Sequence, residues 1–456
     1  MHARFFALLT IAVFAAGCSS SRPGGASDLV PNGLAFSSAR TDAAPSAHYI
    51  KHVVVIIQEN RSVDNIFNGF PKADTQPYGY ANENGKEVKI TLQSHDFNGG
   101  DLPHGYAANI VEYDKGQMDG FYEAMQKWPR PGEKPTYPYN YLDRTDSAPY
   151  WTMAQQYVLA DKMFATEWGA SFTAHIDLIA ANTYLNNQKT LALVDTPSVS
   201  PWGCDSPTNP PTTTPTLDSQ LHENRNGPFP CFTRYATLAK LLDNKHVPWR
   251  YYAPPLNSLG DIYSTFDAIK WVREGSDWNN VVSPQTKVLV DAAKGLPPVT
   301  WVVPTGKDSD HAGQNSDTGP SWVADIVNAV GTGPNWKDTA IIVLWDDWGG
   351  WYDHVPPPQL DYLGLSFRVP MLVISPYAKK NYVSHTQYEF GSVVKFIENV
   401  FNLPSLGFTD KRANGLTDAF DFSQGPRAFQ KIPCKYPPSH FLHEQVPFGA
   451  PDDDRN

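Results

Sequence analysis

One stretch near residue 345 constrains the fold more than any other part of the chain. Residues 340–345 form an uninterrupted apolar run rich in β-branched side chains, and two acidic residues, Asp346 and Asp347, follow at once. A run of this length and composition predicts a strand that is buried on both faces of a sheet. In open α/β sheets, ligands bind outside the carboxyl ends of the strands, which is where the acidic pair falls. The stretch therefore predicts an α/β protein with a binding site at this strand end.

The acidic pair has two interpretations. Asp is a common turn residue, so an isolated Asp-Asp after a strand is most simply a solvated turn. Here tryptophans flank the pair at positions 345, 348 and 351. Neighbouring carboxylates in apolar surroundings repel each other unless a cation or a proton compensates them. Asp353 and His354 return further oxygen and nitrogen donors to the same region, so we predict a metal site.

Polar side chains also follow a second predicted strand. The β-branched run at residues 53–57 precedes Glu59 and Asn60, both of which are capable of binding a metal. Asn60 has an alternative role, because Asn is a favoured helix N-cap and a short helical pattern begins just after it.

A third candidate lies at a glycine-containing junction between a short apolar strand and a helix. Gly169 and Ala170 precede Ser171, and a helical pattern continues from about residue 173. A serine at such a junction projects its hydroxyl into a crevice with a helix N-terminus behind it, which favours an anionic phosphate. The alternative is that Ser171 only caps the helix.

Histidines complete a repeated pattern of polar groups after apolar strands. His104 lies in a loop near Asp101, and His311 follows Asp310 after another short strand. A histidine in such a loop is more often a surface residue than a catalyst, but polar groups at successive strand ends predict a shared catalytic edge. We find no internal repeat or clear linker, so we predict one folded domain over residues 48–456.

Composition restricts the partners. The chain has 456 residues, of which 41% are hydrophobic, and its net charge is −11. Such a composition argues against wholesale disorder. The negative charge argues against a broad basic face, so we expect no nucleic-acid partner, and any phosphate must be attracted locally.

The N-terminal region predicts export. Residues 1–17 combine Arg4, an apolar stretch and small residues, which is typical of a secretory signal and too short for a comfortable transmembrane span. The end of this segment resembles a bacterial lipoprotein signal with Cys18 as the lipidated residue, although Ala15 replaces the usual Leu. Ordinary cleavage with a freely secreted product is the alternative. Residues 18–47 read as a flexible tether.

The remaining cysteines predict structure rather than chemistry. Cys204 and Cys231 flank much of a Pro-rich insertion at about residues 198–230, so we expect them to form a disulfide and to leave Cys434 unpaired. No Cys/His spacing indicates a structural zinc site. A Pro-rich tail at about residues 423–456 is expected to wrap the surface.

Several blocks of the sequence resemble one family. They span most of the chain in order: VVIIQENRSVDNIFNGF, DLPHGY with QMDGF, DKMF…GASFTAH, WGCD…PCF, SDHAG, and TAIIVLWDDWGGWYDHVPPP with RVPMLVISPYA. The family is that of bacterial phosphoesterases, which contains acid phosphatases and non-haemolytic phospholipases C and is related to alkaline phosphatases. The resemblance implies a three-layer α/β/α sandwich with a mostly parallel central sheet, as in alkaline phosphatase.

The resemblance also implies roles for individual residues. Four residues would hold the metal: Glu59, Asn60, Asp346 and Asp347. Ser171 would be the nucleophile that becomes phosphorylated. Phosphate oxygens or protons would be handled by the three family histidines, His104, His311 and His354. After the nucleophile, Thr173-Ala174-His175 departs from the more usual Pro-containing sequence, which leaves the role of His175 open.

These implications lead to a functional expectation. We expect an exported phosphoric ester hydrolase that depends on Mg²⁺, Ca²⁺, Mn²⁺ or Zn²⁺ and uses a phosphoserine intermediate, with phosphomonoesters placed ahead of the phospholipase C alternative. A surface protein that binds metal or phosphate without turnover is a third interpretation. The substrate would be a small phosphate ester or a phospholipid head group, bound by three further residues: His175, Asp353 and Trp348. Aromatic rings near the site would stack on a leaving group or enclose a choline cation, unless they only pack the core. A membrane would be contacted only through the N-terminal anchor, and the oligomeric state stays open.

Overall fold

An eight-stranded mixed sheet forms the centre of the protein in this computed structural model, which describes residues 45–83, 85–256, 258 and 260–446. The strands of the protein are β1 His52–Gln58, β2 Tyr78–Glu83, β3 Lys86–Thr91, β4 Gln93–His95, β5 Asn140–Leu142, β6 Val158–Ala160, β7 Met163–Phe164, β8 Leu191–Leu193, β9 Thr216–Asp218, β10 Glu223–Asn224, β11 Trp249–Tyr252, β12 Val281–Val282, β13 Val299–Val302, β14 Thr339–Trp345, β15 Met371–Ile374, β16 Tyr382–Ser384 and β17 Tyr388–Glu389. The α-helices are α1 Ser46–Tyr49, α2 Val63–Ile66, α3 Tyr106–Tyr113, α4 Phe121–Lys127, α5 Ala148–Gln156, α6 Ser171–Ala180, α7 Leu238–Asn244, α8 Lys270–Arg273, α9 Lys287–Asp291, α10 Gly319–Gly331, α11 Phe390–Phe401, α12 Thr409–Arg412 and α13 Pro438–His443.

The order of strands in the central sheet is β12-β11-β13-β1-β14-β15-β6-β16. All neighbouring pairs are parallel except those of β15, which runs antiparallel to both β14 and β6. Seven strands therefore point the same way, and their carboxyl ends share one edge of the sheet. This edge is where the predicted polar groups should meet.

The sheet is covered on both faces. Every residue of β14 is buried, and so is every residue of β1 after His52, as expected for strands whose alternating side chains point to opposite faces. The helices pack in two groups, one that joins α6, α1 and α12 to α11 and another that joins α5, α9 and α13 to α10. The protein is thus an α/β fold with a large, mostly parallel sheet, as the sequence predicted.

The elements predicted around the candidate site are found with small shifts at their ends. The runs at 340–345 and 53–57 are strands β14 and β1. The helical pattern expected from about residue 173 is α6, which begins at Ser171. The reversed direction of β15 had no counterpart in the sequence analysis.

The Pro-rich insertion contains a small sheet and a disulfide. Strands β9 and β10 join β8 in a three-stranded sheet, and Cys204 is bonded to Cys231, as the sequence predicted. Cys434 is free, with its thiol 3.4 Å from the Asp325 carboxylate. The predicted tail packs beside α10, where the side chain of Asn328 pairs with both backbone polar groups of Ile432.

The N-terminal expectations fall largely outside the described residues. The signal segment 1–17 and the lipidation site Cys18 lie there, and the tether 18–47 overlaps the described chain only from residue 45, next to α1. Within residues 45–446, apart from the undescribed positions 84, 257 and 259, no helix has the length and apolarity needed to cross a membrane.

Candidate active site

Four metal-capable side chains lie where two neighbouring strands end: Glu59 and Asn60 after β1, and Asp346 and Asp347 after β14. Strands β1 and β14 pair in parallel, with Gln58 opposite Trp345. The residues that follow the two strands therefore emerge together. A direct contact joins them, because the Asn60 backbone N–H donates to Asp346 Oδ1 at 3.0 Å.

Burial decides between the interpretations that the sequence left open. Asp346 and Asp347 are both fully buried, which excludes a solvated turn. Asn60 is not the cap of α2, because Ser62 occupies that position and accepts a backbone hydrogen bond there. The backbone of Asn60 instead has φ +59°, in the left-handed region that Asn tolerates better than most residues.

Helix α6 brings the predicted nucleophile to the same edge. Ser171 is the first residue of α6, and its N-cap neighbour is Ala170, so the hydroxyl does not cap the helix. The Ser171 hydroxyl instead donates to Asp347 Oδ2 at 3.2 Å. The other carboxylate oxygen, Asp347 Oδ1, accepts from the Gly349 backbone N–H at 2.7 Å. These bonds fix the Asp347 carboxylate beside a hydroxyl that is only 1% exposed.

His175 lies one helical turn after Ser171, on the same face of α6. Its Nε2 atom is 3.1 Å from Glu59 Oε1 and 3.7 Å from Asp346 Oδ2. The ring is 1% exposed and stacks on Tyr263, with ring centroids 5.5 Å apart. The His175 imidazole therefore lies directly against the carboxylates of Glu59 and Asp346.

His104 and His311 lie together beside this group. The Nδ1 atom of His104 is 2.6 Å from the Leu102 carbonyl, and its Nε2 atom is 2.9 Å from the side-chain nitrogen of Asn60. A proton on Nδ1 satisfies both contacts, because Nε2 then accepts from the Asn60 amide. The Nδ1 atom of His311 is 2.6 Å from the Ala312 carbonyl, and the two imidazole centroids are 5.3 Å apart.

Asp353 and His354 lie in a second cluster, together with Asp64 and Arg368. His354 Nδ1 lies 2.6 Å from Asp64 Oδ2, and the Arg368 guanidinium donates to both oxygens of Asp353. The pKa of His354 is raised: burial lowers it, but the hydrogen bond and charge of Asp64 outweigh burial. The buried Arg368 supplies positive charge to these carboxylates. Donor atoms of Asp64, Asp353 and His354 also lie within 4.8 Å of one another.

Trp348 is packed inside the protein, with its ring centroid 6.5 Å from that of His104. The side chain is fully buried, its indole N–H donates to Glu112 Oε2 at 2.6 Å, and its ring packs against Phe367. Trp351, Tyr352 and Phe172 are also buried. These aromatic side chains are therefore part of the buried packing around the site.

Two buried ionisable residues near the site were missed. Glu112 accepts from Trp348, and burial holds the pKa of Glu112 well above its usual range. Arg61 donates to the Asp310 carbonyl and lies over the Trp351 ring, and burial lowers its pKa to about 10. Arg61 follows Asn60 directly, so its position next to a predicted metal ligand could have identified it as a residue near the site. Glu112 lies within α3 and has no local motif.

The polar groups at the edge fit a divalent cation. Asn60 Oδ1 and Asp346 Oδ2 are buried, and neither has a hydrogen-bond partner in the described part of the chain. Buried polar atoms are normally satisfied, so orphaned oxygens beside two further carboxylates call for a positive charge. Donor atoms of Glu59, His175 and Asp346 also lie within 4.8 Å of one another. The donor set therefore matches a metal site.

A serine hydroxyl beside such a donor set is the arrangement of hydrolases that use a metal-assisted nucleophile. The profile of the Phosphoesterase family matches residues 50–404, and the chain belongs to this family. This confirms the family that the sequence blocks indicated.

Curated relatives carry the name phospholipase C. The non-hemolytic phospholipase C of Pseudomonas aeruginosa is 25% identical over 88% of this chain and 62% of its own length. Phospholipase C B of Mycobacterium tuberculosis is 31% identical over 29% of this chain and 30% of its own length. The non-specific phospholipase C1 of Arabidopsis thaliana is 29% identical over 32% of each chain. This chain thus spans less than two thirds of these relatives.

Solved structures are more distant. A Vibrio parahaemolyticus protein of the alkaline phosphatase superfamily is 14% identical, covers 81% of this chain and 72% of its own, and has a TM-score of 0.35. A similarity at this level carries no argument about fold or mechanism.

Proposed function

We propose that the protein hydrolyses phosphoric esters, with Ser171 as the nucleophile beside a divalent cation. The observation that carries the proposal is the Ser171 hydroxyl at 3.2 Å from Asp347 Oδ2, within a buried group whose oxygens at Asn60 and Asp346 lack hydrogen-bond partners in the described chain. Family membership supports the reaction class. Export is part of the proposal and rests on the signal-like residues 1–17.

The residues of this chain prepare the nucleophile. Four of them would hold the cation: Glu59, Asn60, Asp346 and Asp347. When bound, a divalent cation lowers the pKa of an adjacent hydroxyl and screens phosphoryl oxygens. Asp347 orients Ser171 through the hydrogen bond to its Oδ2 atom. The N-terminus of α6 adds its positive dipole end where the phosphoryl group would be attached.

The two neighbouring histidines have different tasks in this proposal. His104 Nε2 faces the Asn60 amide, so His104 orients that amide and leaves Asn60 Oδ1 for the cation. His311 is buried, its Nδ1 atom lies 2.6 Å from the Ala312 carbonyl, and its ring lies beside that of His104. We assign His311 as the acid that protonates the leaving alkoxide, after which water hydrolyses the phosphoserine.

Small phosphomonoesters are the first substrate class. Ser171 is 1% exposed, and a monoester places one organic group on phosphorus whereas a diester places two. An enclosed nucleophile therefore favours the monoester, which has a single organic group on phosphorus. Phospholipase C activity is the second candidate, because the curated relatives bear that name.

Substitution of Ser171 tests the mechanism. Ser171→Ala deletes only a hydroxyl, so we expect turnover of p-nitrophenyl phosphate to fall by about 10³-fold or more while folding and metal content stay unchanged. Acid quenching of the wild type during turnover should trap a phosphoserine at position 171. Ser171→Thr keeps a hydroxyl and should retain part of the activity. Near-normal hydrolysis by Ser171→Ala would remove this residue from the mechanism.

A substrate panel tests the substrate class. We expect higher kcat/KM for small soluble phosphomonoesters than for phosphatidylcholine or p-nitrophenylphosphorylcholine. The assays should share one preparation, one metal and one pH. A preference for the choline diesters would replace the monoesterase proposal with phospholipase C and leave the residue roles as they are.

A further inference from the structure

We propose that His175 is a ligand of the cation, so that this chain has a mixed nitrogen and oxygen metal centre. The inference rests on the proposed function, and it assigns a residue whose role the family resemblance left open. It also predicts which metal the site selects. Sites built only from carboxylate, amide and hydroxyl oxygens suit Mg²⁺, Ca²⁺ and Mn²⁺, whereas an added imidazole shifts preference toward transition metals and Zn²⁺.

The position of His175 on α6 is the first observation. His175 follows Ser171 by four residues, and side chains with this spacing lie above one another on one helical face. The helix that presents the hydroxyl to Asp347 therefore presents an imidazole to the same edge one turn further on. The ring is 1% exposed, so it contacts the protein interior rather than solvent.

The distances around Nε2 are the second observation. His175 Nε2 lies 3.1 Å from Glu59 Oε1 and 3.7 Å from Asp346 Oδ2. Two donors at about 2.1 Å from one ion lie roughly 3.0–3.4 Å apart at octahedral or tetrahedral angles. The distance to Glu59 falls in this range and the distance to Asp346 is slightly longer, while donor atoms of all three residues lie within 4.8 Å of one another. Asp346 Oδ2 has no hydrogen-bond partner in the described chain, so it is available for such an ion.

The packing around the imidazole is the third observation. Tyr263 stacks on His175 with an angle of 17° between the ring planes, and this contact holds the plane of the imidazole. The Tyr263 backbone is held in turn, because its carbonyl accepts from the Tyr251 hydroxyl at 2.6 Å. A ring plane that is already held limits the conformational freedom lost on metal binding.

An orienting role without ligation is the competing interpretation, in which His175 only donates to Glu59. The variant His175→Gln separates the two, because its amide can still donate to Glu59 but carries no imidazole. Metal affinity should be measured by calorimetry for Mn²⁺, Zn²⁺ and Ca²⁺. We expect His175→Gln to weaken Mn²⁺ and Zn²⁺ binding by about 10-fold or more and Ca²⁺ binding much less.

A spectroscopic measurement identifies the ligand directly. Electron spin-echo modulation from an imidazole nitrogen should be present in the Mn²⁺-loaded wild type and absent in His175→Gln. His222→Gln is the matched control, since His222 is an exposed histidine that pairs with Asp218. A nitrogen signal that persists in His175→Gln, or that is lost in His311→Gln instead, would overturn the inference.

The readout does not depend on turnover. A protein that loses the nitrogen signal in His175→Gln but hydrolyses no phosphate ester would contradict the proposed function and uphold the ligand assignment. An enzyme that hydrolyses phosphate esters, but whose nitrogen signal and metal preference are unchanged by His175→Gln, would uphold the proposed function and contradict the ligand assignment.

Discussion

Asp346 and Asp347 are neighbours in sequence but make different contacts. Asp346 Oδ1 accepts from the Asn60 backbone, whereas Asp347 Oδ2 accepts from the Ser171 hydroxyl. Each carboxylate would help to balance the charge of a bound divalent cation. We therefore expect both Asp346→Asn and Asp347→Asn to lose bound metal, and Asp347→Asn also to misplace the nucleophile.

Elemental analysis of the purified variants measures this loss. Asp218→Asn is a suitable control, since its carboxylate pairs with the exposed His222. The metal content of the control should equal that of the wild type. If both site variants also keep their metal, the acidic pair does not bind the cation.

His354 provides a prediction about pH. Its pKa is raised above the ordinary value: burial lowers it, but the Asp64 hydrogen bond and charge outweigh burial. A histidine whose pKa rises on folding stabilises the protein below its unfolded-state pKa of about 6.5, and the contribution is lost as pH rises through the folded-state pKa. We expect His354→Gln to lower the free energy of unfolding by about 1–3 kcal/mol in mild acid, and by less above neutrality.

Denaturant titrations of wild type and His354→Gln at several pH values test this. The exposed pair of His222 and Asp218 again supplies a control, because His222→Gln should change stability little at any pH. A stability difference for His354→Gln that grew with rising pH would have the wrong sign for a raised pKa.

At the scale of elements, the turn after β14 depends on close backbone approach. Gly349 has φ +62°, and a Cβ atom at this position would lie 2.4 Å from the Asn60 carbonyl oxygen. Gly349→Ala should therefore cost about 1–2 kcal/mol for the left-handed backbone alone, and displace Asn60 as well. We expect weaker metal binding together with lower stability.

Calorimetric metal binding and thermal unfolding check this prediction. Gly425→Ala is the matched control, because a Cβ atom there would meet nothing within 4 Å. An effect of Gly349→Ala on stability alone, with normal metal affinity, would separate this turn from the cation site.

Elements with a strong local signal were predictable from the sequence. The uninterrupted apolar runs of β1 and β14 predicted two buried strands, because parallel strands buried on two faces are apolar throughout. The polar residues that end these runs marked the ends of the strands. The direction of β15 was not predictable, since a buried strand has the same composition in either direction. Contacts such as that between His354 and Asp64, 290 residues apart, have no local signal at all.

The difference between local signals and long-range contacts also explains which site contacts could be predicted from the sequence. Ser171 has a junction signal, and the structure brings it to Asp347. Asp353 and His354 follow the acidic pair closely in sequence, yet the chain turns after Gly350 and carries them to Arg368. Proximity in sequence did not indicate these contacts. The packing of Trp348 against Phe367 and His104 also had no signal, because composition does not distinguish a ring that lines a site from one that packs beneath it.

At the scale of the whole molecule, the Pro-rich insertion is connected to helix α6 through aromatic packing. Trp202 and Phe232 both contact Phe172, the residue after Ser171, with ring centroids 6.4 and 6.5 Å away. These two residues lie beside Cys204 and Cys231, so the disulfide fixes the segments that support one side of Phe172. The insertion thus packs against the first turn of the helix that carries Ser171.

The disulfide between Cys204 and Cys231 should contribute measurably to stability. It closes a loop with a sequence separation of 27 residues, and constraining such a loop in the unfolded chain is worth about 3–4 kcal/mol. We expect the double variant Cys204→Ser/Cys231→Ser to unfold at lower denaturant concentration by a corresponding amount. Cys434→Ser is the control, since that thiol forms no disulfide and should matter much less. Non-reducing peptide mapping completes the test, because a bridge that contains Cys434, or a double variant as stable as the control, would contradict this role for the disulfide.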